Sequence, residues 1–378
     1  MSERLEWPYV FRALGILAVF YGHFVGSYWL LGNRVGHQQM KFLATFVVAG
    51  FFMLAGYFFH ERGASWLGYV KRQARRRLLP VLGFHVAGFV IALAGLAATG
   101  NLSSKSFLAL AKLLVAIVAG WPMLAAVGWF LVCLFTVEVF HYSLRPLTRS
   151  SWALAASILA FGLATWAFPF QVKADQQLGY WQSWWFLTPA LAGMVFYQLG
   201  VLGHRLNLFA PRSRAVDVAV SLVSLVILVL IFDRNQGPFP QSKLDMPLQG
   251  LSAFGHLGWF YTTGIVGSIF LFFVSRVLPA GRWSRFLGEN SLVLMCLNSY
   301  LLLWIDRPVT AWLYTGLKWQ SPLALTLCSA VATLLSFLLV APLVKAIHRW
   351  APWLTGETPA LAPSAAPAVS AGPALAES

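Results

Sequence analysis

Apolar runs of about 18 residues or more recur as far as residue 350, each long enough to cross the hydrocarbon core of a bilayer as a helix. A membrane barrel would need short strands of alternating hydrophobicity, and these runs are long and unbroken. In lipid the backbone must satisfy its own polar groups, so the expected fold is all-α, a polytopic membrane bundle. Hydropathy places ten spans, at 9–31, 42–60, 78–98, 122–144, 151–169, 183–203, 215–232, 257–278, 288–305 and 322–347. With 59% hydrophobic and 10% charged residues, the composition excludes a soluble domain. The first run is too long for a cleavable signal peptide and follows the acidic pair Glu3 and Glu6, with no clear small-residue cleavage site after it.

A net charge of +15 would suit a nucleic-acid binder, but the basic residues lie in the loops. With both termini in the cytoplasm, eighteen of the 27 fall on inner segments, among them Arg62, Lys71, Arg72, Arg75, Arg76, Arg77, Arg145, Arg149, Arg205 and Arg214. The charge therefore sets topology, and no nucleic-acid partner is implied. Residues 107–121, "FLALAKLLVAIVAGW", read either as an eleventh span or as an interfacial helix. The charge bias favours the second, because an extra crossing would put Arg145, Arg149, Arg212, Arg214, Arg282 and Arg285 outside. The membrane domain is expected over 1–353, and the Ala/Pro/Ser-rich segment 354–378 reads as a disordered cytoplasmic tail. Cys133, Cys296 and Cys328 lie in apolar runs without metal-ligand spacing, which reads as buried thiols and no metal site.

Chemistry must then reside in the bundle, where ionisable groups are expensive. In "FRALGILAVFYGHF", residues 11–24, Arg12 and His23 are separated by eleven residues, about three helical turns, so they share one face about 16 Å apart along the axis. A lone His23 would read as a neutral imidazole bonded to a neighbouring helix. Glu138 in "CLFTVEVFHY" either snorkels, pairs with a basic residue or belongs to a site. His85 reads as structural. In "YVKRQARRRLLP", residues 69–80, five of the seven residues from Lys71 to Arg77 are basic. They form either a topology anchor on anionic lipid or a phosphate clamp, since guanidinium groups make paired bonds to phosphate oxygens.

These stretches, taken in order, resemble the acyltransferase 3 family of bacterial membrane acyltransferases, in particular the branch that O-acetylates cell-surface polysaccharides. Arg12 and His23 match the family's arginine, ten-residue gap and histidine on the first helix. "GFFMLAGYFF" (50–59) resembles its second-helix motif, with Ala55 where serine is usual. "RRRLLP" (75–80) matches the basic run that opens the third helix, although Ala74 interrupts the usual arginine pair. "GWFLVCLF" (128–135) and "FLGENSLVLMCLN" (286–298) resemble two later motifs, with Asn298 standing where some relatives carry histidine.

The resemblance implies an enzyme of the bacterial inner membrane. It would transfer acetyl from cytoplasmic acetyl-CoA to a sugar hydroxyl of a lipid-linked glycan, and length and motif variants are most similar to xanthan-type exopolysaccharide acetyltransferases, whose acceptor is a mannose. In that scheme His23 is general base or acyl carrier, Arg12 orients the donor, and Arg72, Arg76 and Arg77 hold its phosphates. Glu138 and Asn298 are supporting candidates. Implied partners are the glycan acceptor, membrane lipids and polysaccharide biosynthesis machinery. Asp233, Asn235, Asp245 and His256, in the longest outer loop, and "YWQSWW" (180–185) are candidate glycan contacts, set against a plain connector and an interfacial aromatic belt. Transfer of succinyl or another acyl group is the alternative within the family. A transporter or flippase would also use a polar stripe, but no inverted repeat with broken helices is visible.

Overall fold

The computed structural model describes residues 6–60, 65–167, 184–209, 213–236 and 246–356. Among these residues the regular structure is helical, apart from an isolated bridge between Leu248 and Ala253. The chain begins with α1 (Trp7–Leu30), α2 (Arg34–Ala44), α3 (Val47–Tyr57), α4 (Trp66–Gln73) and α5 (Leu79–Ala98). It continues through α6 (Ser104–Val115), α7 (Trp129–Leu144), α8 (Ser151–Ala167), α9 (Leu187–Arg205) and α10 (Arg214–Ile231). The last third holds α11 (Leu257–Val277), α12 (Arg282–Glu289), α13 (Ser291–Leu301), α14 (Arg307–Ala311) and α15 (Pro322–Trp350).

Nine helical stretches among the described residues are long and apolar enough to cross a membrane, and α8 is a shorter apolar helix of 17 residues. Each of the ten expected spans has a counterpart, so the chain is an all-α polytopic membrane protein. The outer faces are apolar, as lipid demands: Leu159 and Leu163 on α8, Val226 and Leu230 on α10, and Leu334 and Leu338 on α15 are all exposed.

Residues 107–121 form no continuous helix of membrane-spanning length. The helix α6 has 12 residues, about 18 Å, against a hydrocarbon core of about 30 Å. It ends in a 3₁₀ turn at Ala116–Ala119, followed by Gly120 in the left-handed region (φ +85°) and by Pro122. His85 of α5 secures this break: its Nε2 bonds the Leu114 carbonyl at 3.1 Å, and its Nδ1 accepts the Leu124 N–H at 3.2 Å. A buried histidine here satisfies backbone groups that a broken helix leaves orphaned.

The central helix is α1, which packs on α2, α3, α11, α12, α13, α14 and α15. On its far side α3 and α9 approach until backbone meets backbone. A Cβ at Gly56 would overlap the Tyr197 carbonyl, and one at Gly200 would overlap the carbonyl of Met53. Small residues permit this approach in lipid, where burial offers no driving force between helices. The contact fixes Tyr197 beside the last turn of α3.

Candidate active site

Where α1 begins and α3, α7 and α9 end, the helices surround a cavity of about 690 Å³. Its wall carries Arg12 of α1, Arg72 and Gln73 of α4, Arg76 and Arg77 of the next segment, Glu138 of α7 and Tyr197 of α9. The arginines reach it because α4 runs into α5 through a π-helical stretch, Ala74–Leu78. Widening the turn shifts the register, as π-bulges at functional sites do. Arg72, Arg76 and Arg77 thereby line the cavity, while Arg75 is exposed and off its wall.

Glu138 is buried and engages Arg77 with both oxygens, Nη2–Oε1 at 2.7 Å and Nε–Oε2 at 3.2 Å. Of the readings open for Glu138, pairing with a basic residue is the observed one, and it occurs on the cavity wall. Charge-assisted paired bonds of this kind set the guanidinium plane as well as its charge. Arg12 has no carboxylate within ion-pairing distance among the described residues. Arg72 lies over the Tyr69 ring at 5.3 Å; Tyr69 stacks on Tyr142 at 3.8 Å, and Arg145 covers the other face of that pair at 4.1 Å from the Tyr142 centroid. The two stacked rings lie between two guanidinium groups, which restrains an otherwise flexible arginine. Gln73 is buried on the wall with its Oε1 lacking a partner among the described residues. The cavity thus combines an excess of guanidinium groups with an unfilled acceptor, a suitable lining for a phosphorylated ligand that also carries amide or hydroxyl donors.

His23 lies three turns farther along α1, outside this lining. Its Nδ1 is hydrogen-bonded to Oδ1 of Asn298, a residue of α13 that is fully buried. With the amide assigned in this orientation, Nδ1 carries the proton and Nε2 keeps its lone pair. Asn298 Nδ2 has no partner among the described residues. Met295, one turn before Asn298, lines the cavity, so α13 connects the two regions as α1 does.

Five of the seven candidates, Arg12, Arg72, Arg76, Arg77 and Glu138, therefore converge on one cavity, and the other two, His23 and Asn298, on each other. Sequence reasoning passed over Tyr69, Gln73, Tyr197, Thr355 and Gly356, which also line it. For the first two a signal existed, since Tyr69, Arg72 and Gln73 share a helical face at spacings of three and four. Tyr197 carried none: a tyrosine in an apolar helix reads as core.

The acceptor-side candidates behave differently. Asp233 is bound to Lys41, buried in α2, at 2.6 Å. Asn235 is buried, donating to the Phe254 carbonyl at 2.9 Å and accepting from the His256 N–H at 3.0 Å, so it braces its own loop. Asp245 and residues 180–183 lie outside the described residues. Trp184 is exposed, whereas Trp185 packs on Phe135 and accepts the Thr136 hydroxyl bond at its carbonyl. Among the described residues no cluster of His, Cys, Asp and Glu is arranged to hold a metal ion.

Fold and site together define a polytopic membrane protein with a cationic cavity at one end of its bundle and a histidine held deeper on the same central helix. A family model described as an acyltransferase domain matches residues 5–341, nearly the whole chain. The protein belongs to that family and is a membrane acyltransferase. No curated protein and no solved structure matches the chain.

Proposed function

We propose that the protein transfers acetyl from cytoplasmic acetyl-CoA to a sugar hydroxyl of a lipid-linked exopolysaccharide repeat in the bacterial inner membrane. The observation that carries this reading is the pairing of an arginine-lined cavity with an imidazole on the same helix. Arg72 and Arg76 hold donor phosphates, helped by the edge of Arg77 that Glu138 leaves open. Arg12 stands between that site and the reacting centre and steadies the thioester end. His23, oriented by Asn298, removes the hydroxyl proton through Nε2. The sugar oxygen then bonds the acetyl carbonyl carbon, the C–S bond breaks, and the proton passes to the departing thiolate of coenzyme A. Mannose, the acceptor implied by the xanthan-type resemblance, is the first sugar to test.

The test is mass spectrometry of surface polysaccharide from cells expressing the wild-type chain, His23→Ala, or neither. Acetyl ester found with the wild type alone supports the reading, and equal acetylation in all three overturns it.

A further inference from the structure

Part of the cavity lining, Thr355 and Gly356, comes from outside the family-matched region, which ends at residue 341. After α15 the chain turns at Ala351 into a 3₁₀ segment, Pro352–Thr355, and reaches Gly356. Of the segment 354–378 expected as a tail, Leu354 packs against the main apolar core, and residues 357–378 lie outside the described residues. Three features dock the segment. Trp353 and Leu354 lie over Gly83 on α5, where a Cβ would come within 2.6 Å of Trp353 Cζ3 and overlap Leu354. The Thr355 hydroxyl donates to the Pro352 carbonyl at 2.7 Å, closing the turn. Gly356 has φ +70°, and a Cβ there would meet the Arg76 carbonyl at 2.5 Å. A glycine satisfies both demands at once, the left-handed backbone and the close approach. Thr355 and Gly356 then face the cavity alongside the Arg76 side chain.

We infer that residues 352–356 are a strap that completes the donor site: by abutting the Arg76 backbone and walling the cavity, it positions Arg76 and raises affinity for the coenzyme A end of the donor. This rests on the donor reading proposed above. Gly83 and Gly356 are positioning residues in it, because their missing side chains are what let the strap seat. A preformed wall adds affinity by removing the need to order these groups on binding.

The test measures coenzyme A binding by calorimetry on nanodisc-embedded protein, with thermal unfolding recorded for each variant. A chain ending after Gly356 is expected to bind as the full chain does. A chain ending after Trp350, Gly83→Leu and Trp353→Ala are each expected to bind about tenfold more weakly or worse. Trp353→Ala adds no bulk, so it decides the matter if the first two fail to fold. Full-chain binding with Trp353→Ala and the Trp350 truncation unchanged would overturn the strap and leave the donor site standing. No binding by the full chain would overturn the donor reading and the strap with it.

Discussion

Arg77 and Glu138, 61 residues apart, are locked together by two charge-assisted hydrogen bonds on the cavity wall, with the carboxylate buried and the guanidinium largely so. Removing one member leaves a charge in a low-dielectric wall without its counterion, whereas removing both leaves only apolar surface. Glu138→Leu should destabilise the protein by about 3–5 kcal/mol, and the double change Arg77→Met with Glu138→Leu should recover most of that loss. Thermal unfolding in detergent checks both. A double variant no more stable than the single one would mean that the pair is not a closed unit.

His23 and Asn298 should separate by the size of their effects. Loss of a general base typically lowers rate by about 10²- to 10⁴-fold, so His23→Ala should reduce kcat within that range at unchanged membrane levels. Asn298→Ala removes one hydrogen bond that orients the ring, about 1 kcal/mol, and should lower kcat about five- to tenfold. Initial rates with labelled acetyl-CoA measure both. An acetylated His23 trapped in the absence of acceptor would reassign it from base to acyl carrier.

Arg72 and Arg76 should act on donor binding rather than on chemistry. Each charge-assisted bond to phosphate is worth about 1.5–3 kcal/mol, so Arg76→Gln and Arg72→Gln should each raise the donor KM by about tenfold or more with kcat little changed. Tyr142→Ala removes the ring behind Tyr69 and should raise KM in the same direction through the loosened Arg72. A Tyr142→Ala enzyme with wild-type KM would show that the stack does not steady the arginine.

His85 makes the contrasting case of a histidine that holds structure. Its two bonds to the broken segment between α6 and α7 are each worth about 1 kcal/mol, so His85→Leu should cost about 2 kcal/mol of stability, read by thermal unfolding. Donor KM should not move, because His85 is not among the residues that line the cavity.

The Lys41–Asp233 pair predicts an effect at the other end of the bundle. Lys41 is 1% exposed, and Asp233 is its carboxylate partner at 2.6 Å. Asp233→Ala strands a buried ammonium and should destabilise by about 3 kcal/mol, the low end for a buried pair because Asp233 itself reaches solvent. Lys41→Met should restore most of that loss in the same unfolding assay.

The existence and approximate placement of the long helices were legible from residues because they follow from local physics, whereas for 107–121 the residues left two readings open and only the charge bias favoured the interfacial one. A run of about 20 apolar residues is helical in lipid wherever it occurs. The shared face of Arg12 and His23 was equally local, since helical period alone sets it. Hydropathy could not reveal Asn298 as the partner of His23, Glu138 as the partner of Arg77, or Thr355 and Gly356 on the cavity wall. Those relations join residues 275, 61 and about 280 positions apart, and the last of them depends on where Gly83 leaves room on α5. Residue order alone dictates a membrane bundle with a polar stripe on its first helix. Which groups meet that stripe depends on helix packing, because apolar helices in lipid choose their neighbours by close contact and polar pairing, which no single segment encodes.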